Sequence, residues 1–138
     1  MNRRLLLTFL VVGVGGALGT LFRYVINIQT VDLIFPFGTF LENLFGSLIL
    51  GFITGYLVHK NVNELWRTGL GVGFCGGFTT MSTLSADFFG LFATTQSYAI
   101  IYLGASIFGG VTLAFVGYIL GEKLSYHYQF TKKAGETN

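Results

Sequence analysis

Gly76-Gly77-Phe78-Thr79-Thr80-Met81-Ser82-Thr83-Leu84-Ser85 interrupts an apolar segment that runs from about residue 67 to 92. Two adjacent glycines, then four hydroxyls in five residues, make a poor continuous helix and suit a break in one. A break at membrane depth is tolerated only where the chain is buried in protein or lines a wet cavity. Carbonyls freed there can coordinate a cation, and the new helix N-terminus can face an anion. The structural alternative is a glycine kink whose hydroxyls bond back to the preceding turn.

That segment is one of four. A membrane helix needs about 20 mostly apolar residues, and the chain supplies them over about 5–27, 37–58, 67–92 and 98–121. Asp32 to Pro36, His59 to Trp66, and Thr94 to Ser97 separate them. At 138 residues the chain is one membrane domain, with a polar stretch over 122–138 that reads as a loose tail from Lys132. Apolar residues make up 52% of it and charged residues 10%, against roughly 25% charged in an average soluble protein. Lipid must therefore be the solvent for much of its surface. Arg3 and Arg4 followed by Leu5 to Val12 resemble a signal peptide. No small-x-small cleavage site closes the run, so it reads as the first membrane helix.

Several functions are excluded by what is missing. A net charge of +2, with no basic patch interleaved with aromatics, does not point to nucleic acid. The single cysteine, Cys75, forms no internal disulfide and, with only His59 and His127 in the chain, offers no zinc set. No nucleophile, base and orienting acid can be assembled into an enzyme. Gly71-Val72-Gly73-Phe74-Cys75-Gly76 fits G-x-G-x-x-G, but it lies within an apolar span with no preceding strand, so it carries nothing. The pairs Gly15/Gly19, Gly51/Gly55, Gly73/Gly77 and Gly117/Gly121 have the four-residue spacing that lets membrane helices approach closely.

Basic residues give an orientation. Arg3, Arg4, Lys60, Arg67, Lys123, Lys132 and Lys133 all fall on one side of a four-span chain, and the loops on the other side carry none. The positive-inside rule then predicts that both termini are cytoplasmic.

Polar groups inside spans are functional candidates. Asn43, near the start of span 2, offers two amide donors to an anion or bridges two helices. Its neighbour Glu42 would repel an anion in the same cavity, which places it at the rim or against Arg23. Tyr102 and Ser106 in span 4 are at i, i+4 and share one helical face. Arg23, late in span 1, and Asp87, late in span 3, are the remaining charges within spans, placed where the two could meet.

Gly15-Gly16-x-x-Gly19-x-x-x-Arg23-Tyr24, Gly38-Thr39-x-x-x-Asn43-x-x-Gly46 and Gly73-Phe74-Cys75-Gly76-Gly77-Phe78-Thr79-Thr80-x-Ser82-Thr83 resemble, in order and in three spans, the Fluc (CrcB) family of fluoride channels. The resemblance covers about residues 5–121. It implies an antiparallel dimer in the cell membrane, with anion pores along the subunit interface. It also implies a structural sodium ion held by main-chain carbonyls at the break, here Gly76 and Thr79. Asn43 would lie at the pore, beside a polar track formed by Tyr102 and Ser106, with Met81, Ser82, Thr83 and Leu84 along the break. Fluoride holds its water tightly, so a pore must replace that shell with hydrogen-bond donors.

Two departures from the family pattern matter. Its stretch T-T-F-S-T-F-S carries two phenylalanines whose positive ring edges face the fluoride path. Here those positions are Met81 and Leu84, although the chain holds 15 phenylalanines. The acidic residue that follows, usually Glu, is Asp87. Second, a homodimer of oppositely inserted subunits needs little Lys/Arg bias, and this chain has a strong one. Both departures point to one half of a heterodimer, with a related partner of opposite bias supplying the phenylalanines. A self-sufficient homodimer and a non-conducting regulatory subunit stay open. A small multidrug exporter would need a buried carboxylate in span 1, which has none.

Overall fold

A computed structural model describes the backbone of residues 2–60 and 62–135, and side chains among these up to residue 127. Among the described residues every regular element is helical. Helix α1 spans Arg3–Thr30, opened by the Asn2 side chain, which accepts the Arg4 N–H at 3.3 Å. Helix α2 spans Phe37–Leu57 and starts directly after Pro36, whose missing N–H costs nothing at a helix start.

The third span comes in pieces. Helix α3, Glu64–Thr68, is capped by Asn63 and leads into wide i→i+5 turns over Gly69–Cys75 and a short α4, Gly76–Phe78. Thr79 (φ −80°, ψ 156°) and Thr80 (φ −147°, ψ 120°) are extended, and α5, Met81–Thr94, begins afresh. The break expected from the glycine pair is therefore real and lies just beyond it. Helix α6, Gln96–Gly135, completes the bundle.

Helix α6 outruns the span expected at 98–121, so Lys123 sits on a continuing helix and the stretch expected as a loose tail is helical through Gly135. Residues 136–138, and the side chains of Lys132 and Lys133, lie outside the described residues.

Among the described residues three helices are long and apolar enough to cross a membrane: Arg3–Thr30, Phe37–Leu57 and Gln96–His127. The third span, being split, contains no single helix of that length. Only 6% of the apolar stretch of α1 is buried inside the chain. Phe9, Phe22, Phe89, Phe108 and Phe115 all face outward. That much exposed apolar surface is untenable in water and ordinary in lipid. The chain is a multi-pass membrane protein.

Glycines join the helices in two pairs. A Cβ on Gly51 or Gly55 of α2 would run into the Ala114 or Tyr118 carbonyl oxygen of α6, and one on Gly117 or Gly121 into those of Leu48 or Phe52. Gly15 and Gly19 of α1 lie as closely against the backbone at Gly69 and Phe74, and Gly77 against Gly16. Small residues thus let backbones touch, the packing expected from their spacing. The first half of the third span packs on α1, whereas α5 packs on α6 and makes no contact with α1 among the described residues. The break hands the span from one helix to the other.

One end of the bundle gathers the charges. An Arg4–Glu64 ion pair ties the start of α1 to α3, His59 meets Glu122 at 3.1 Å, and Lys60 lies 3.7 Å from the Tyr56 ring centre.

Candidate functional site

Asn43 of α2 meets the third span at its break. Leaving the helix frees the Thr80 main chain, and Asn43 from α2 takes both of its groups. The Thr80 N–H donates to Asn43 Oδ1 at 2.8 Å, and Asn43 Nδ2 donates to the Thr80 carbonyl at 3.0 Å. The Thr80 side chain caps α5, accepting the Thr83 N–H at 3.2 Å, with the Ser82 and Thr83 hydroxyls 3.2 and 3.0 Å from its own. Asn43 thus bridges two helices.

Because the Thr80 N–H goes to Asn43, it does not close a helical bond to the Gly76 carbonyl. Gly76 itself is open: a Cβ there would meet nothing within 4 Å. Gly76 and Thr79 line one outward groove of about 410 Å³ with Cys75, Thr54 and Arg67. A carbonyl without its helical donor beside open space is the donor chemistry that a hard monovalent cation takes. Among the described residues no three His, Cys, Asp or Glu side chains come together as a metal site.

The positions that depart from the family pattern do not share an environment. Met81, at the first turn of α5, is 70% exposed on the outer face, while Leu84 is buried inside the chain. Ser82 is exposed, and Thr83 lines a second cavity. This vestibule, of about 500 Å³, opens at the end of the bundle away from the charges, with Asn27, Thr30, Thr39, Thr83, Asp87 and Thr94 on its walls.

Tyr102 and Ser106 do share a face, and both are buried within the single chain. The Tyr102 hydroxyl donates to Asp87 Oδ2 at 3.2 Å, and Ser106 donates to the Tyr102 carbonyl at 2.7 Å. The Phe35 ring meets Tyr102 edge to face, 5.5 Å between centres at 87°. Tyr102→Phe should cost about 1 kcal/mol in thermal unfolding in detergent, since it removes one hydrogen bond to an acidic group and keeps the ring.

Arg23 does not meet Asp87, as its position suggested, and among the described residues it makes no ion pair with Glu42 either. Glu42 is not at the rim: it is fully buried, its Oε1 accepting a hydrogen bond from Asn27 Nδ2 at 2.8 Å. Asn27 escaped the sequence reading, although an amide one turn after Arg23 in an apolar span was its visible signal. Thr80, quoted there only as part of a motif, is the hub of the break.

Residues 10–118 match the family model described as CrcB-like protein, Camphor Resistance (CrcB). The chain is 46% identical over 114 residues to fluoride-specific ion channel FluC 2 of Halalkalibacterium halodurans, covering 83% of this chain and 85% of that one. It is 41% identical over 118 residues to FluC 2 of Bacillus licheniformis, at 86% and 89% coverage. With FluC 1 of Bacillus cereus it shares 37% over 123 residues, at 86% and 90% coverage. A family-model match over most of the chain, together with relatives at up to 46% identity, places the chain in the CrcB family.

Proposed function

We propose that this chain is a subunit of a fluoride channel, paired in the membrane with an oppositely inserted, related partner, that lets cytoplasmic fluoride leave passively. The observation that carries it is the Asn43-held break, whose outward groove leaves Gly76 and Thr79 available to a second subunit. Relatives named as fluoride-specific ion channels support the ion. Some carry the number 2 and others the number 1, consistent with two related chains.

The gathering of Arg4, Lys60, Arg67 and Lys123 at one end of the bundle supports a single insertion, with both termini cytoplasmic. Tags on the two termini, probed from each side, should report the cytoplasm in every copy. A chain that inserts one way cannot form an antiparallel pair with itself.

The Gly76 and Thr79 carbonyls would hold a sodium ion between the subunits, where it supplies positive charge that draws an anion into the dimer. The chain's own groups supply donors. The N-terminus of α5 carries the N–H groups of Met81 and Ser82 together with the exposed Ser82 hydroxyl, and Asn43 lies beside it. Met81 occupies the outer face where the family pattern has an aromatic ring, so the partner would bring that ring to the shared path.

Fluoride efflux from liposomes tests the reading, with the chain purified alone and then co-expressed with the related chain of opposite charge bias. Efflux from the mixture only is expected. Efflux from this chain alone would return the homodimer and show that rings at positions 81 and 84 are dispensable. No efflux in either case would leave a regulatory subunit.

A further inference from the structure

Glu42 is a carboxyl group buried within a membrane-spanning helix with no ion-pair partner among the described residues. One oxygen accepts from Asn27; the other, Oε2, has no solvent contact and no hydrogen-bond partner among the described residues. An ionised carboxylate in such surroundings is strongly unfavourable unless paired. Arg23 makes no ion pair among the described residues. Glu42 also does not line the vestibule wall that Asn27 shares. The cation that fits an oxygen so enclosed is a proton, which adds no volume.

Glu42 also adjoins Asn43 in sequence, and Asn43 holds the Thr80 main chain at the break. A negative charge one residue from Asn43 opposes an anion at that point by Coulomb repulsion in a low dielectric. The titratable groups acting on Glu42 are Arg23 from α1, Asp87 from α5 and Tyr102 from α6. Asp87 adds to the repulsion, and Tyr102 already donates to Asp87.

We infer that Glu42 is a proton-binding site, and that its occupancy decides whether fluoride passes the Asn43 side of the break. The inference rests on the fluoride-channel reading for its consequence and on the burial of Glu42 for its chemistry. With the proton on, the site is neutral and the anion passes. With the proton off, the charge holds the anion back and passage slows.

The test is fluoride efflux from liposomes carrying the assembled channel, from about pH 5 to about pH 9, a window that covers the range into which burial moves the titration of carboxyl groups. The leak of hydrogen fluoride through protein-free vesicles is subtracted. Efflux through the wild type should be on the order of tenfold slower at the alkaline end. Glu42→Gln, a neutral isostere, should run at the acid-limit rate throughout, and Asp87→Asn should keep the pH dependence. Wild-type efflux that ignores pH, or Glu42→Gln with wild-type pH dependence, overturns the inference. Infrared spectroscopy reads the proton without any flux. A carboxylic-acid C=O band that shifts in D2O and vanishes in Glu42→Gln supports the site, and its absence at the acid end overturns it. If no preparation conducts at any pH, the channel reading fails while the band still decides the proton site.

Discussion

Asn43→Ala should abolish fluoride flux and lower the stability of the chain by about 2–4 kcal/mol, because it removes two hydrogen bonds to the main chain at the break and leaves the Thr80 N–H unpaired. The Thr80 N–H and carbonyl are both satisfied by this one side chain, at 2.8 and 3.0 Å, and Thr80 is 6% exposed. Hydrogen bonds between membrane helices are often worth less than this, since a polar group there usually finds another partner. Here the break itself removes the alternative for the N–H: Thr79 and Thr80 are extended, and the Thr80 N–H closes no helical turn. Asn43→Asp separates the two roles. It keeps an acceptor for the Thr80 N–H, so it should recover part of the stability. It offers the Thr80 carbonyl no donor and adds a negative charge beside Glu42, so flux should stay absent. Thermal unfolding in detergent together with liposome efflux reads both. Normal flux in a well-folded Asn43→Ala would remove Asn43 from the site.

The break was legible because its chemistry is local. Two glycines and a run of hydroxyls disfavour a helix wherever they occur, and an apolar segment around them fixes the depth. The helix-pairing glycines were legible for the same reason: four-residue spacing puts them on one face, and Gly51/Gly55 against Gly117/Gly121 is what that face does. The orientations of Leu84 and Glu42 were not. Leu84 turns inward because α5 starts anew at the break and packs on α6. No periodicity carried across the interruption could give that phase. Glu42, near the start of span 2, read as a rim residue or a partner of Arg23 because a carboxylate would repel an anion in the same cavity. Its burial depends on Asn27, fifteen residues away on another helix. The end of α6 was misjudged for a third reason. Polar composition past Gly121 marks the exit from lipid, and a helix can leave lipid without ending.

Two glycine substitutions should separate folding of the chain from assembly of the channel. Gly51→Val places a branched side chain where even a Cβ would strike the Ala114 carbonyl, and Gly117 across the same seam leaves no slack on the α6 side. Backbone cannot step aside as a side chain can, so α2 and α6 must part. A loss of about 3 kcal/mol or more, with little folded protein recovered from membranes, is expected. Gly76→Val is the opposite case. A Cβ at Gly76 meets nothing within 4 Å, and the groove beside it is open. The single chain should therefore fold and melt near the wild-type temperature. In the assembly, however, the isopropyl group would stand beside Thr79, where the second subunit and the cation approach. Flux should be lost and the dimer should fail in crosslinking, with the monomer intact. A Gly76→Val chain that still assembles and conducts would mean that this groove faces lipid. The subunit contact would then have to lie on another face, and the free Gly76 carbonyl would need a different explanation.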